Sequence, residues 1–232
     1  MAAPPPGRIA RVRGIVFDLD GTLVDGYLGI ATAVNAARAA FGLPAMATDD
    51  VRGRVGLGLS HLMEDVLGPG RAAAGAEIFR SAYDSVCVEQ THPVPALHAT
   101  LAALGARGFR MSVASNKPAP YSIRILERLG LRPLFDTIEG PDTAGAIKPD
   151  PAMIAACLRA MHVRNDEALY VGDMTLDADS GERAGVPVVL VCGGSSSRGA
   201  LVRTGQPVIP SLSDLLDVLP PRAGIPSGER GP

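Results

Sequence analysis

Four short polar clusters hold the residue types best suited to chemistry. The first is Asp18-Leu19-Asp20-Gly21-Thr22-Leu23-Val24-Asp25; later come Ser115-Asn116-Lys117, then Lys148 before Pro149, then Gly172-Asp173 with Asp177 four residues on. Together they offer carboxylates, hydroxyls, an amide and ammonium groups. Carboxylates act as nucleophiles, as general acids or bases, and as oxygen ligands of hard cations. The ammonium groups stand out by scarcity, because Lys117 and Lys148 are the only lysines among 22 basic residues and each precedes a proline.

The elements that must position these clusters are legible as apolar runs. Ile15-Val16-Phe17 leads into the first cluster, Met111-Ser112-Val113 into the second and Ala168-Leu169-Tyr170-Val171 into the last, with Val186 to Val191 and Pro207-Val208-Ile209 beyond. Short β-branched runs alternating with helical patterns predict an α/β fold, a Rossmann-like parallel sheet in three layers. Helical patterns are clearest at Pro151 to Met161, where Met153, Ile154, Cys157, Leu158 and Met161 share a face, and at Ser211 to Leu219, opened by a capping-box-like Ser211 and Asp214.

One stretch departs from this alternation. From Val24 to about Gln90 the periodicity is helical only, with stripes at Ile30, Ala31, Val34, Ala37 and Phe41 and at Phe79, Ala82, Tyr83 and Val86. An inserted all-α subdomain is predicted, with the polar loop Arg52 to Ser60 at its centre and Ser60 as a helix N-cap. An insertion directly after strand one sits above the carboxyl ends of the strands, where open α/β sheets bind ligands, and is placed to be a lid. The predicted division is 8–23 and 91–219 for the core, 24–90 for the helical cap, and 1–7 and 220–232 for proline-rich flexible tails.

Composition excludes several classes. The 232 residues are 47% hydrophobic and 20% charged, which is ordinary for a globular chain with a real core. A formal charge of −2 gives no field that would draw nucleic acid or a membrane surface. The longest apolar stretch, Val186 to Cys192, falls far short of the ~18–20 residues of a membrane span, and the N-terminal segment lacks an apolar signal region. Three cysteines without C-x-x-C spacing fit a reducing cytosol. The expected location is cytoplasmic and the expected partner a small molecule.

In their order, DLDGT, the strand-end Ser115, Lys148 and GDMTLD resemble the four motifs of the haloacid dehalogenase-like hydrolase superfamily, over about Ile15 to Val191. The helical insertion resembles a C1 cap. SNKP, IKPDP and the stretch from VGD to ERAGVPVVLV resemble the phosphoglycolate-phosphatase-like branch. The resemblance implies a phosphomonoester hydrolase acting through an aspartyl-phosphate on a small phosphorylated metabolite, with Asp18 as nucleophile and Asp20 as general acid and then base. Asp20 must start protonated, which crowding by neighbouring carboxylates would favour.

A carboxylate attacking a dianionic phosphoryl group amid Asp20, Asp173 and Asp177 calls for compensating positive charge. Mg²⁺ together with Lys148 would supply it. Asp18 and Asp173 are the expected direct ligands; the resemblance adds the backbone carbonyl of Asp20 and puts Asp177 beside the metal or its waters. Ser115 and backbone amides near Gly21, Thr22 and Asn116 are expected to hold phosphoryl oxygens. Specificity is assigned to the cap loop around Gly56, with Arg52 or Arg54 reaching a substrate carboxylate, and to Lys117, whose loop faces the same pocket as Ser115.

Other branches fit less well. A dehalogenase does not need an acid at the position of Asp20, and a phosphonoacetaldehyde hydrolase needs a cap lysine that 24–90 does not contain. A β-phosphoglucomutase-like phosphotransferase shares the aspartyl-phosphate, but its His-bearing segment after motif one is not apparent. Sugar-phosphate or nucleotide phosphatases remain neighbouring readings. A receiver-like phospho-acceptor would carry its aspartate in mid-chain without a large insertion, and an idle binding module would not keep every catalytic position filled.

Overall fold

The computed structural model describes residues 11–219 and Pro221. The tail assignments at 1–7 and 220–232 therefore lie outside the described residues, apart from Pro221. Six parallel strands form one sheet in the order β5-β4-β1-β6-β7-β8. They are β1 (Gly14–Phe17), β4 (Arg110–Ala114), β5 (Ile138–Glu139), β6 (Ala168–Gly172), β7 (Val188–Val191) and β8 (Val208–Ile209).

Alternation along the strands builds two cores. Ile15 and Phe17 join Met111, Val113, Leu169 and Val171 beneath α5 (Leu97–Ala106) and α6 (Ala119–Arg128) on one face. Val16, Ala114 and Tyr170 face α8 (Ala152–Met161) and α9 (Thr175–Ala184) on the other. The predicted stripe Met153, Ile154, Cys157, Leu158 and Met161 is buried throughout, each large side chain contributing about 1.5–3 kcal/mol of burial. Helices on both faces make the three layers, and strands covered on both sides read as continuous apolar runs.

The chain order explains why the site lies where it does. From β1 the sheet grows to β4 and β5 on one side and to β6, β7 and β8 on the other. The switch point is therefore the carboxyl edge of β4-β1-β6, where Phe17 is in register with both Val113 and Val171. Ligands of open α/β sheets bind at such a point.

Between β1 and β4 the chain leaves the sheet to form α1 (Tyr27–Ala40), α2 (Thr48–Arg52), α3 (Leu59–Leu67) and α4 (Ala72–Val86). These pack around a core of their own that includes Val34, Met63, Phe79 and Tyr83. α1 forms readily because its sequence is alanine-rich and free of proline. Among the described residues no helix is long and apolar enough to cross a membrane.

Four details correct the sequence reading. The stretch from Val24 to Gln90 is not helical only: β2 (Val24–Asp25) pairs antiparallel with β3 (His92–Pro93), a two-strand ribbon at the base of the insertion. β5 carries no recognisable run, because Ile138-Glu139 offers a single apolar residue where the equally short edge strand β8 has two β-branched ones, Val208 and Ile209. Ser60 lies inside α3; the residue before that helix is Gly58, at φ +85. The segment after Ser211 begins as a 3₁₀ turn, Leu212–Asp214, before α11 (Leu215–Val218), and the Ser211 amide donates to Asp214 Oδ2 at 2.9 Å as the capping pattern predicts. Two short helices, α7 (Pro141–Ala144) and α10 (Arg198–Arg203), complete the set.

Candidate active site

The loops leaving β1, β4 and β6 bring Asp18, Ser115 and Asp173 together, and Lys148 enters from the segment before α8. The Asp18 amide donates to Val171 O at 2.9 Å, so the β1–β6 ladder itself fixes the start of the first loop. Lys148 is 2% exposed and places Nζ 3.0 Å from Asp18 Oδ1 and 2.8 Å from Asp177 Oδ1. Burial works against its charge, but Asp177 and Asp18 outweigh that and hold the ammonium above the usual lysine range.

Asp18, Asp173 and Asp177 present carboxylate oxygens within 4.8 Å of one another. Burial pushes Asp18 up to about 6, against the pull of Lys148 and with the repulsion of Asp177 added. Asp173 is pushed well above the usual carboxylate range by burial, and further by Asp177 and Asp18. One ammonium facing three buried carboxylates leaves the cluster short of positive charge, and hard divalent cations take such oxygen sets.

The three carboxylates are not equivalent. Asp177 is saturated: Oδ1 accepts from Lys148 Nζ and from the Tyr170 hydroxyl at 2.9 Å, and Oδ2 from the amides of Asp173 at 3.0 Å and Met174 at 2.9 Å. It orients Lys148 and the Asp173 loop. Asp173 accepts one donor on each oxygen, Thr22 Oγ1 at 2.9 Å and the Ser195 amide at 2.7 Å. Asp18 Oδ1 is buried without an aligned hydrogen bond, although Lys148 Nζ lies 3.0 Å away. The lone-pair capacity for a cation therefore sits on Asp18 and Asp173.

Asp20 stands apart from this group. Its Oδ2 is 2.9 Å from Lys117 Nζ, with both side chains buried, and Oδ1 is buried without a partner. The carboxylates crowd Asp18 and Asp173, whereas the group facing Asp20 is an ammonium. This corrects the expectation that carboxylate crowding acts on Asp20.

The remaining sequence candidates separate. Ser115 lines the cavity and its Oγ accepts the Lys117 amide at 3.4 Å. Thr22 gives its hydroxyl to Asp173, and the Gly21 and Thr22 amides donate to Val24 O at 2.7 Å and Leu19 O at 3.3 Å, so neither amide is left for a phosphoryl oxygen as the sequence led us to expect. Gly21 adopts φ +86, and a Cβ there would lie 2.4 Å from the Tyr27 hydroxyl and 2.5 Å from Asp173 Oδ2, so only glycine fits. The Asn116 side chain donates to Gly56 O at 2.7 Å and accepts the Lys148 amide at 2.7 Å, tying the cap loop to the lysine loop.

Neither Arg52 nor Arg54 lines the cavity. Arg52 donates to Gly193 O at 3.3 Å, pairs with Asp25 at 3.4 Å and lies 4.5 Å over the Tyr27 ring, at the cap hinge. Arg54 pairs with Asp65 at 2.6 Å on the cap surface. The cap arginine that does line the cavity is Arg80, half-exposed and paired only with Glu77 one turn earlier.

The sequence reading also passed over the Gly193-Gly194-Ser195 loop. Its Ser195 amide holds Asp173, and Ser195 Oγ meets the Tyr27 hydroxyl at 2.8 Å. Paired glycines after the apolar run of β7 were the available signal.

These groups surround a cavity of about 120 Å³ between cap and core. Asp18, Asp20, Ser115 and Lys148 form its floor, and Leu62, Phe79, Tyr83 and Arg80 its roof. Gly56 closes one wall at φ +135, with Met174 so near that a Cβ would lie 2.3 Å from its Cε. Gly56→Ala is expected to cost about 1–3 kcal/mol through that backbone angle. It should lower the melting temperature and raise KM; an unchanged KM would separate this loop from substrate binding.

Residues 15–191 match the family model for haloacid dehalogenase-like hydrolase. The chain belongs to that family, which makes it an enzyme and sets aside the receiver and binding-module readings. Among its relatives is the phosphoglycolate phosphatase of Aquifex aeolicus (strain VF5), 38% identical over 79% of this chain and 86% of the relative. That of Yersinia pseudotuberculosis serotype I (strain IP32953) is 34% identical over 93% and 95%. A crystal structure described as a predicted phosphoglycolate phosphatase from Haemophilus somnus 129PT superposes with TM-score 0.83 at 25% identity, over 90% of this chain and 98% of that one.

Proposed function

We propose that the protein is a Mg²⁺-dependent phosphomonoesterase of the cytosol that hydrolyses 2-phosphoglycolate or a closely similar small acidic ester. The observation that carries this is the floor of the cavity, which both Asp18 and Asp20 line and where each faces its own buried ammonium, Lys148 at 3.0 Å and Lys117 at 2.9 Å. Lys148 orients the first carboxylate for attack, and Lys117 holds Oδ2 of the second, leaving its unpartnered Oδ1 to carry the proton that is transferred.

Asp18 attacks the phosphoryl group and forms the aspartyl-phosphate, splitting one hard displacement into two easier ones. Asp20 hands a proton to the departing alkoxide and then takes one from the water that cleaves the acyl phosphate. Lys148 neutralises charge that builds on the transferring oxygens, and Ser115 with the backbone amide of Asn116 holds them in place, the Gly21 and Thr22 amides being taken by Val24 O and Leu19 O. A divalent cation, held by Asp18, Asp173 and the Asp20 carbonyl with Asp177 behind them, would supply further positive charge to those oxygens when bound.

The acidic substrate class rests on Arg80. Lys148 and Lys117 are matched to buried carboxylates, so among the described residues Arg80 is the cation left lining the cavity with only a solvent-exposed partner. A cavity of about 120 Å³ is small beside the ~300–1,000 Å³ of pockets for larger ligands, which favours an ester of a few carbons. The free thiols of Cys87, Cys157 and Cys192 fit a reducing compartment.

Phosphate release from a panel of esters, with Mg²⁺ and with EDTA, tests the reading: release that needs the cation and favours phosphoglycolate is expected. Arg80→Ala should lower kcat/KM for phosphoglycolate by about 10–100-fold, the worth of a charge-assisted contact, and spare an uncharged ester such as ethyl phosphate. Equal loss on both would remove Arg80 as the carboxylate reader.

A further inference from the structure

We infer that Lys117 is a positioning residue through which seating of the cap, felt at Tyr83, fixes Asp20 for proton transfer to the leaving group. The inference rests on the phosphomonoesterase reading and adds to it the link between closure and chemistry.

Three chain segments meet at this lysine. Asp20 comes from the loop after β1, Lys117 from the loop after β4, and Tyr83 from α4 of the cap. The Lys117 ammonium is hydrogen-bonded to the Tyr83 hydroxyl, stands 4.6 Å from the centre of its ring, and reaches Asp20 Oδ2 at 2.9 Å. Its side chain is 6% exposed and that of Asp20 10%, so neither has water as a ready substitute.

Tyr83 is itself held by both bodies. Its ring stacks on Phe79 of the cap at 5.3 Å and meets Tyr121 of the core helix α6 edge-on at 5.1 Å. The phenol can therefore occupy this place only while the cap rests on the core. Beside it Arg124 of α6 pairs with Asp84 of α4, closing the same seam.

A lysine ends in a compact, strongly hydrated charge on a flexible four-carbon stem. With Tyr83 withdrawn, the ammonium loses its acceptor and the ring face, water reaches it, and nothing holds it against Asp20. Asp20 Oδ1 has no partner of its own, so the carboxylate then loses its only fixed contact. With Tyr83 seated, the ammonium pins Oδ2 and leaves the unpartnered Oδ1 to carry the proton that passes to the leaving alkoxide, after which Asp20 remains as a carboxylate paired with Lys117. An ester that props the cap open would bind its phosphoryl group on the core and still lack a placed acid, which is specificity by closure.

The test separates the acid-requiring step from the rest by leaving group. Phosphoglycolate expels an alkoxide that needs a proton; p-nitrophenyl phosphate expels a phenolate that departs without one. Single-turnover phosphorylation is followed for wild type, Lys117→Met and Tyr83→Phe, each with Mg²⁺, with circular dichroism to establish folding. Lys117→Met should slow the phosphoglycolate step by about 10²–10³-fold, within the range of general acid catalysis, and the nitrophenolate burst by no more than about 3-fold. Tyr83→Phe keeps the ring and should slow the phosphoglycolate step by about 3–10-fold with the same selectivity, as the loss of one hydrogen bond.

Equal losses on both esters, or none on either, would overturn the role of Lys117. Should Lys117→Met fail to fold, the selectivity of Tyr83→Phe decides alone. Absence of phosphate release by the wild type from both esters would instead strike at the phosphomonoesterase reading, and the inference would fall with it.

Discussion

Asp18→Asn is expected to abolish turnover and, in metal-free protein at neutral pH, to raise the melting temperature. Loss of a nucleophile acting in concert with its neighbours should cost at least about 10⁴-fold in kcat. The stability effect follows from burial: the Asp18 carboxyl moves from 3.8 to about 6 on folding because desolvation exceeds the help of Lys148. Between those values the folded protein holds a proton that the unfolded chain has released. Stability therefore falls as pH rises from about 4 to 6, and the penalty persists at pH 7.

Asparagine keeps the shape and removes the charge, so roughly 2–3 kcal/mol should return. For a chain of this size that is a rise of about 4–10 °C, shrinking toward pH 4 where aspartic acid is protonated anyway. Added Mg²⁺ should reverse the order, stabilising wild type and leaving the variant nearly unmoved. A metal-free variant that melts below wild type at pH 7 would show that the pair with Lys148, and not desolvation, dominates the energy of Asp18.

The loops of the candidate site were legible because each follows a strand of a parallel sheet. Strands buried on both faces must be apolar throughout, so Ile15-Val16-Phe17 and Ala168 to Val171 announce themselves, and Asp18 and Gly172-Asp173 beyond them mark the carboxyl edge. β2, β3 and β5 escaped notice for the opposite reason, since Val24-Asp25, His92-Pro93 and Ile138-Glu139 lack the adjacent β-branched pair that marks the equally short β8. Side chains that act across the fold were harder. Arg80, with Glu77 one turn before it, reads in sequence as a solvated ion pair, and only the cavity distinguishes it. Arg52 had the right chemistry for a substrate carboxylate but is taken up by Asp25, the Gly193 carbonyl and the Tyr27 ring at the hinge. Lys117 was rare enough to attract notice, yet its partners stand 97 residues before it and in another subdomain, and no local pattern encodes that meeting.

Lys148→Met should have the opposite thermal effect to Asp18→Asn and a comparable effect on rate. Methionine fills similar volume, so the change is mainly one of charge. Without the ammonium, Asp177 Oδ1 keeps only the Tyr170 hydroxyl and Asp18 Oδ1 keeps nothing. Removing one partner of a buried ion pair costs about 3–5 kcal/mol, here a fall of about 10 °C or more in melting temperature. The rate should fall by about 10²–10³-fold, the usual effect of deleting a preorganised charge at the reacting centre.

Two features identify the origin of the loss. An electrostatic penalty shrinks in mild acid, where Asp18 takes up a proton, whereas a packing defect does not depend on pH. The double variant Asp18→Asn/Lys148→Met should also be more stable than Lys148→Met alone, because it removes one of the two stranded carboxylates, and the departure from additivity measures the pair directly. A pH-independent loss with additive single effects would mean that Lys148 supports the site by packing, and the charge balance argued for the three aspartates would have to be abandoned.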